Sequence, residues 1–513
     1  MAELVTCRRP AVKIADAGAG SGILGISVCE YLTRVNKGLK VIELTAYEAD
    51  PGCIPHLTQS LNFAKQWLRE RGIGLKFDIL NADFVLSNAD ALNNQGTLVA
   101  AASHRFNIII SNPPYFKLRK SDPRARAAGR VVHGQPNIYA LFMAISAHLL
   151  YASGEMVFIT PRSYAAGPYF KRFREHFFAV VSPTFIHLFG SRDKAFDKDD
   201  VLQENIILRA KPRNGYDPLQ SPEHLVTISY STGLSDLTAS RHRSVPVSEI
   251  IDLHTRHRVL RIPVTPREDR IIKLVHAWKG SLSDYGMKIS TGPVVPFRAN
   301  GFLADKETDD GLCVPLLWMQ NVTPMSTVWP AKTQKHQYIR NSGSATGLLV
   351  ANKNYVLLRR FSTKDDRRRL IAAPYLVSTP RPGVIGIENH LNYIYRPQRE
   401  LSPEEAFGLA ALLNSELLDT YFRTSNGNTQ VSATEIKNLP LPKLSVIRKI
   451  GSILLKTSLG CNQLDEIIRE AMGAAYSLPY EQNRGGSGNP EIIQNDVSGY
   501  RKRPLNRVVG QDS

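Results

Sequence analysis

Short apolar runs alternate with amphipathic stretches along the first part of the chain. The runs predict strands over Val12–Ala15, Leu44–Tyr47, Leu75–Ile79, Asn107–Ile110, Glu155–Thr160, Thr184–Leu188 and Asn205–Leu208. Between them the spacing predicts helices over Ile23–Thr33, Pro55–Arg71, Ile138–Tyr151 and Ala166–Phe178. This βαβ rhythm implies an α/β fold around a largely parallel, doubly wound sheet. Sheets of that kind bind ligands beyond the carboxyl ends of their strands.

The rhythm breaks after Arg209. Lys211 to Pro222 reads as a Pro/Gly-rich connector, and Val226–Leu260 fits either side of it. From Arg267 the pattern is irregular, with short strands and many basic residues. One helix is expected over Pro403–Thr424 and another over Ile447–Ala474, with Leu439-Pro440-Leu441-Pro442 between them. The tail from Glu481, with Gly485-Gly486-Ser487-Gly488, has the composition of a disordered segment. The expected division is 1–210, a connector over 211–265, a mixed α+β domain over 266–480, and the tail 481–513.

Charge changes the picture more than size does. Lys plus Arg number 64 against 46 Asp plus Glu, a net charge of +18 over 513 residues. Such an excess points to a polyanionic partner, with nucleic acid ahead of an anionic membrane surface. No apolar run is long enough to span a bilayer, and no signal segment opens at Met1, so a cytoplasmic protein is expected. Cys7, Cys29, Cys53, Cys313 and Cys461 are scattered, without the close spacing of a zinc site.

Two loops carry candidate chemistry. Asp16-Ala17-Gly18-Ala19-Gly20-Ser21-Gly22 follows the first strand and opens the first helix, whose free N–H groups suit a carboxylate or phosphate. Gly20 to Gly25 matches GxGxxG, and Glu48 follows the second strand, so a nicotinamide dinucleotide is one reading. Asp16, placed before the glycines, would repel a pyrophosphate but suit an ammonium group. A ligand with an amino-acid end, a ribose and an adenine fits better. Asp16 would meet its ammonium, Gly18, Gly20 and Gly22 its amino-acid moiety, and Glu48 its ribose. Asp83 would accept from the adenine amine and Phe84 would pack on the ring. That ligand is S-adenosylmethionine. The plainer alternative makes Asp16 and Asp83 helix caps and Phe84 core.

The second loop is Asn112-Pro113-Pro114-Tyr115, ending the apolar run Phe106–Ser111. Consecutive prolines cannot donate to a sheet ladder or continue a helix, and Pro113 restricts Asn112 to extended backbone. The loop offers an amide oxygen, a carbonyl and an aromatic face, which is what a flat heterocycle with an exocyclic amine requires. A strand stop with a turn-forming Asn is the structural alternative.

With these residues in place, 12–208 resembles the gamma-class, TaqI-like N6-adenine DNA methyltransferases. The glycine loop, Tyr47-Glu48-Ala49-Asp50-Pro51, Asn81-Ala82-Asp83-Phe84 and Asn112–Tyr115 stand in that family's order. Asn137-Ile138-Tyr139 with Leu141-Phe142, Gly154–Pro161, Phe196 and Val201–Leu208 extend the match. The overall pattern is similar to XhoI-type modification methylases. The resemblance implies a Rossmann-like catalytic sheet and a C-terminal target-recognition domain. It implies S-adenosylmethionine as methyl donor with no metal required, duplex DNA as substrate, and a separate cognate restriction endonuclease. Asn112 and Pro113 would then accept from the adenine N6 amine of an extruded base, with Pro114 stiffening the loop and Tyr115 stacking on the ring. Related families use similar loops on RNA bases or protein glutamine, and a catalytically silent DNA-binding subunit is a further alternative.

Arg124, Arg126 and Arg130 after the catalytic loop are candidate phosphate contacts. So are the basic–aromatic groups Tyr355, Arg359, Arg360, Phe361 and Arg367–Arg369, and Tyr393, Tyr395 and Arg396. Phe407–Phe422, Gly427-Asn428-Thr429-Gln430 and Leu439–Pro442 resemble the closing segment of gamma-class recognition domains. Only Met1–Ala11 precede the first strand, without the family's Thr-Pro segment that closes over the cofactor, so that segment is expected to be missing.

Overall fold

The computed structural model describes residues 1–92, 105–190, 204–213, 224–231, 240–252, 257–306, 312–362, 368–377, 383–426, 430–457 and 463–473. Phe196, Val201, Arg367, Gly427–Thr429, Cys461 and the expected tail lie outside them. Met1–Tyr476 form one compact unit.

The first part of the chain runs β1 (Ala11–Ala17), α1 (Ile23–Val35), β2 (Val41–Tyr47), α2 (Ile54–Arg69), β3 (Gly74–Leu80), α3 (Phe84–Asn88) and β4 (Phe106–Ser111). It continues with α4 (Pro123–Ala127), α5 (Ile138–His148), β5 (Leu150–Pro161), α6 (Lys171–Val180), β6 (Val181–Phe189) and β7 (Asn205–Pro212). β8 (Leu225–Ser231) and β9 (Arg241–Pro246) follow, then α7 (Val247–Ile250) and α8 (Pro266–His276). The nine strands make one sheet in the order β3-β2-β1-β4-β5-β7-β6-β8-β9. β1 to β5 are parallel throughout, whereas β7 runs antiparallel to both neighbours. β8 and β9, from the stretch that fitted either side, extend this sheet.

Alternation along β4 builds both faces. Ile108 and Ile110 pack with Val28, Leu32, Leu57 and Leu61 of α1 and α2. Ile109 turns the other way, to Tyr139, Phe142, Phe173 and Phe177 of α5 and α6. Ten of the eleven residues of α5 are buried, so it carries no amphipathic stripe and runs under the sheet as a core helix. α6 starts at Lys171, later than expected, because Gly167 and Pro168 first turn the chain into a short 3-10 helix over Pro168–Phe170.

The C-terminal half is mixed α+β. Its strands are β10 (Lys288–Thr291), β11 (Leu303–Ala304), β12 (Cys313–Leu317), β13 (Val322–Thr323), β14 (Ser326–Thr327), β15 (Tyr338–Arg340), β16 (Leu349–Ala351), β17 (Tyr355–Arg359), β18 (Ala372–Tyr375), β19 (Val384–Ile387) and β20 (Leu391–Tyr395). They form sheets ordered β10-β20-β17-β18 and β11-β15-β12-β19-β16, plus the hairpin β13-β14. Five helices follow: α9 (Pro403–Asn414), α10 (Glu416–Arg423), α11 (Ala433–Lys437), α12 (Leu444–Lys456) and α13 (Leu464–Met472).

The single helix expected over Pro403–Thr424 is thus two. Buried Ser415 has extended backbone and its hydroxyl accepts from Leu418 N–H at 3.1 Å, so it caps a new helix inside an unbroken apolar run. The helix expected over Ile447–Ala474 is likewise α12 and α13. α9 and α12 approach closely. A Cβ on Gly408 would lie 1.9 Å from Ile447 O, and one on Gly451 would lie 1.9 Å from Glu404 O, so only glycine allows the contact. Glu405 opens α9 with a capping box to Ser402 and pairs in the interior with Arg396 (2.8 Å), while Arg448 reaches the same oxygen.

Arginines join the two halves. Arg162, just past β5, pairs with Glu204 at 3.0 Å and donates to Arg423 O (2.9 Å) and Thr424 O at the end of α10. Arg261 lies over the Tyr421 ring, 3.8 Å from its centroid, and donates to its hydroxyl at 2.6 Å. Among the described residues no helix is long and apolar enough to cross a membrane.

Candidate active site

The chain moves outward from β1 to β2 and β3, then returns to β4 on the other side of β1. The loops after β1 and β4 therefore part at the carboxyl edge and leave a crevice between them, where such sheets bind ligands. Asp16 and Ile110 are register partners, so the glycine loop and the Asn-Pro-Pro-Tyr loop start at the same height. Ser111 Oγ donates to Ala17 O at 2.5 Å, and both residues are fully buried. This bond stitches together the last residue before each loop. Nothing in the sequence singled out Ser111, since its partner is 94 positions away.

Gly18, Gly20 and Gly22 all have positive φ, at 76°, 54° and 86°. A Cβ on Gly22 would sit 2.8 Å from Leu57 Cδ1, whereas Gly20 has open space on that side. The N–H groups of Gly18 and Ala19 both donate to Tyr47 O. Glu48 binds the loop from β2, accepting from Gly20 N–H at 2.7 Å and from Asp50 N–H at 2.8 Å.

Asp16 lies beneath the loop and is 1% exposed. Its Oδ2 accepts from Gly25 N–H in the first turn of α1 at 2.8 Å, while Oδ1 is buried with no hydrogen-bond partner. Burial pushes its carboxyl up to about 7; the Gly25 amide opposes that rise and the Glu48 charge adds to it. Asp83 caps α3, accepting from Val85 and Leu86 N–H at 2.9 and 3.0 Å, with Arg124 3.6 Å away. Phe84 is core, edge-on to Tyr47 and tilted against Phe142 at 4.9 Å. Asp83 is thus the cap of the plainer reading, whereas α1 is capped by Gly22 and Asp16 holds a first-turn amide from the strand below; Asp83 keeps a quarter of its side chain exposed at the crevice. Phe142 was not foreseen as a wall of this site. Its Cε1 lies 3.7 Å from where a Gly18 Cβ would be, yet it comes from a helix without sequence period.

In the second loop Asn112 and Pro114 are exposed, Pro113 is buried and Tyr115 is half-buried. The Tyr115 hydroxyl is 2.7 Å from Asn112 Oδ1 and 3.0 Å from Ile159 O, two acceptors that share its single proton, with the shorter contact to the amide. Burial raises the Tyr115 hydroxyl well above its usual pKa, so it stays a donor. The ring meets Tyr139 edge-on at 6.1 Å, and Tyr139 stacks on Phe170 at 5.6 Å with its hydroxyl 2.6 Å from Ser163 Oγ. The segment after the loop is fastened to the start of α5 by Leu118 N–H to Pro136 O and Ile138 N–H to Phe116 O.

The basic residues expected to meet phosphate are largely committed elsewhere. Arg124 forks onto Asp122 at 2.8 and 2.9 Å and lies over Phe116. Arg130 donates to Leu92 O. Arg359 donates to Val322 O and Arg360 to Asn389 O. Arg369 is buried on Ser362 Oγ and Asn426 Oδ1, and Arg368 pairs with Asp465. With Arg396 on Glu405, these guanidinium groups tie up loop carbonyls and carboxylates, a task that five donors in a fixed fork perform well. Tyr355 is buried and Tyr393 stacks on Tyr395. Of the expected basic–aromatic face, Tyr355, Arg369 and Arg396 point inward and the other described residues are half-buried.

The Eco57I restriction-modification methylase family model matches residues 43–196, from β2 past the Asn-Pro-Pro-Tyr loop. Type II methyltransferase M.PstI of Providencia stuartii is 32% identical over 461 residues, covering 90% of this chain and 88% of the relative. Type II methyltransferase M.BsuBI of Bacillus subtilis is 30% identical over 463 residues, covering 90% and 89%. Among solved structures, the type IIG restriction endonuclease BpuSI has a TM-score of 0.41 at 14% identity, covering 90% of this chain and 58% of that one. With both loops on neighbouring strand ends and two such relatives matching nearly end to end, the chain belongs to the Type II restriction-modification methyltransferases.

Proposed function

We propose that the chain methylates the N6 of an adenine turned out of duplex DNA, using S-adenosylmethionine, as the modification half of a restriction-modification system. Residues 1–210 would carry the chemistry and 266–480 the recognition of the target. The observation that carries this reading is the Ser111–Ala17 stitch, which sets the two loops side by side at one strand edge.

The glycine-loop residues fit the donor. Gly20 leaves room for close approach, Glu48 and Asp83 stand on the following strand ends, and Asp16 Oδ1 is an unpartnered acceptor beneath the loop. A bound S-adenosylmethionine supplies a methyl group on a sulfonium, an excellent leaving group. The protein's task is then positioning and electrostatics. Asn112 Oδ1 and the Pro113 carbonyl accept from the adenine N6 amine, drawing the nitrogen out of conjugation and freeing its lone pair. Tyr115 fixes Asn112 through its hydroxyl and offers its ring to the base. Tyr139 and Phe170 back that ring.

The test is transfer of labelled methyl to DNA followed by nucleoside analysis. Label in N6-methyladenine is expected; label in cytosine or in protein would overturn the reading. Asn112→Ala should bind S-adenosylmethionine with near-normal heat in calorimetry and transfer nothing.

A further inference from the structure

We propose that a seam of uncommitted cations through Lys437 carries the DNA backbone from the catalytic edge into the C-terminal half. This deepens the function proposed above and rests on it. Two cavities, of about 590 and 890 Å³, both count Ser283 and Lys437 among their lining residues, so they adjoin. The smaller one begins at the catalytic edge. His133 follows the Asn-Pro-Pro-Tyr loop, Pro168 follows β5, and Lys171 opens α6. Phe170, between Pro168 and Lys171, is the ring that backs Tyr139 and hence Tyr115. The larger cavity continues past Lys288 on β10 to Arg399.

Lys171, Lys288, Arg399 and Lys437 form no ion pair among the described residues, and Lys288, Arg399 and Lys437 are exposed. They contrast with Arg124, Arg130, Arg359, Arg360, Arg368, Arg369 and Arg396, which are spent on acceptors within the protein, and they share their freedom with exposed Arg126. Arg174 and Arg261 also line the smaller cavity but are likewise committed, to His257 O and to Tyr421. Two carboxylates share that lining, Asp252 and Glu435, and Glu435 is occupied by Ser432 and Asn426. Asp284 beside the seam accepts from the Ser281 hydroxyl. A row of free cations along a trough that starts at the reacting edge suits successive phosphates.

The test is the salt dependence of binding to a short duplex of arbitrary sequence, by fluorescence anisotropy. Lys288→Gln, Arg399→Gln and Lys437→Gln should each flatten the slope of log Kd against log salt by about 0.9. Lys456→Gln, the same charge change at the exposed end of α12, should leave the slope alone. Unchanged slopes in the three seam variants, or an equal change in Lys456→Gln, would overturn the proposal. Methyl transfer to plasmid DNA by the unaltered protein is measured on the same preparations. If it neither binds duplex nor labels DNA, both readings fall. If it does both while the slopes stay fixed, only the seam falls.

Discussion

Replacing Ser111 with alanine removes a single oxygen, one that holds two loops in register. Its hydroxyl donates to Ala17 O at 2.5 Å, and neither residue has any exposed surface. Water cannot substitute without opening the sheet, so the carbonyl loses its partner at a cost of about 1–3 kcal/mol. Stability is the smaller effect. Gly18 and Asn112 are the residues immediately beyond the bond, so its loss frees the donor loop to shift against the acceptor loop. Reacting groups misplaced by about 1 Å lose on the order of 10²-fold in rate. Single-turnover methyl transfer by Ser111→Ala should therefore fall by about 10-fold to 10²-fold, beyond anything its melting temperature accounts for. Ile108→Val is the control: it trims the same strand in its fully buried core, costing about 0.5–1.5 kcal/mol without touching the register. If Ser111→Ala transfers methyl at the unaltered rate, or if Ile108→Val at equal destabilisation slows as much, the stitch has no role in catalysis.

Three further outcomes are expected. Asp83→Ala should lose about 0.5–2 kcal/mol with the cap of α3, whereas Asp83→Ser keeps the cap and so the stability; both should bind S-adenosylmethionine more weakly, and undiminished calorimetric affinity in Asp83→Ser would remove Asp83 from the donor site. Asp16 has its carboxyl raised from 3.8 to about 7 by burial, so its contribution is whole below pH 3.8 and is lost as pH rises through about 7. The unliganded protein should match Asp16→Asn in acid and fall behind it by on the order of 4 kcal/mol above neutrality, read from denaturant melts across pH; a gap that does not vary with pH contradicts this. Burial alone would raise the Glu405 carboxyl, but Arg396, Arg448 and the Ser402 amide bring it from 4.5 down to about 2, so its contribution is present above pH 4.5 and lost as pH falls toward 2. Glu405→Ala should cost about 3–5 kcal/mol by stranding Arg396, checked by thermal melts, and a loss under 1 kcal/mol would contradict the paired-charge account.

Much of the catalytic sheet was legible because its signals are local. β1 to β4 alternate apolar positions against two helical layers, and α2 repeats Leu57, Leu61, Ala64 and Leu68 on one face. Gly18, Gly20, Gly22, Pro113 and Pro114 punctuate the strand ends, so the positions of both loops could be read directly. What stayed hidden depends on burial from all sides or on distant partners. α5 and α9 have no polar face, so neither Phe142 beside Gly18 nor the break at Ser415 leaves a periodic trace. Asp16 and Asp83 carried the residue type of both a ligand and a cap, and only geometry showed that Asp83 is the cap. Arginine content gave the sign of the partner but not the direction of each side chain. Arg369 and Arg396 face inward, whereas Lys437, unremarkable in the sequence, stands at the junction of two cavities.

Arg162 has a consequence for evolution by exchange of parts. Its guanidinium reaches from the end of a catalytic strand to main-chain oxygens of Arg423 and Thr424. Because those acceptors are backbone atoms, any chain that ends a helix at that spot can receive the grip, whatever its side chains. A chimera fitted with a foreign C-terminal half should assemble so long as that helix terminus is preserved, leaving the rest of that half free to diversify while the docking stays constant.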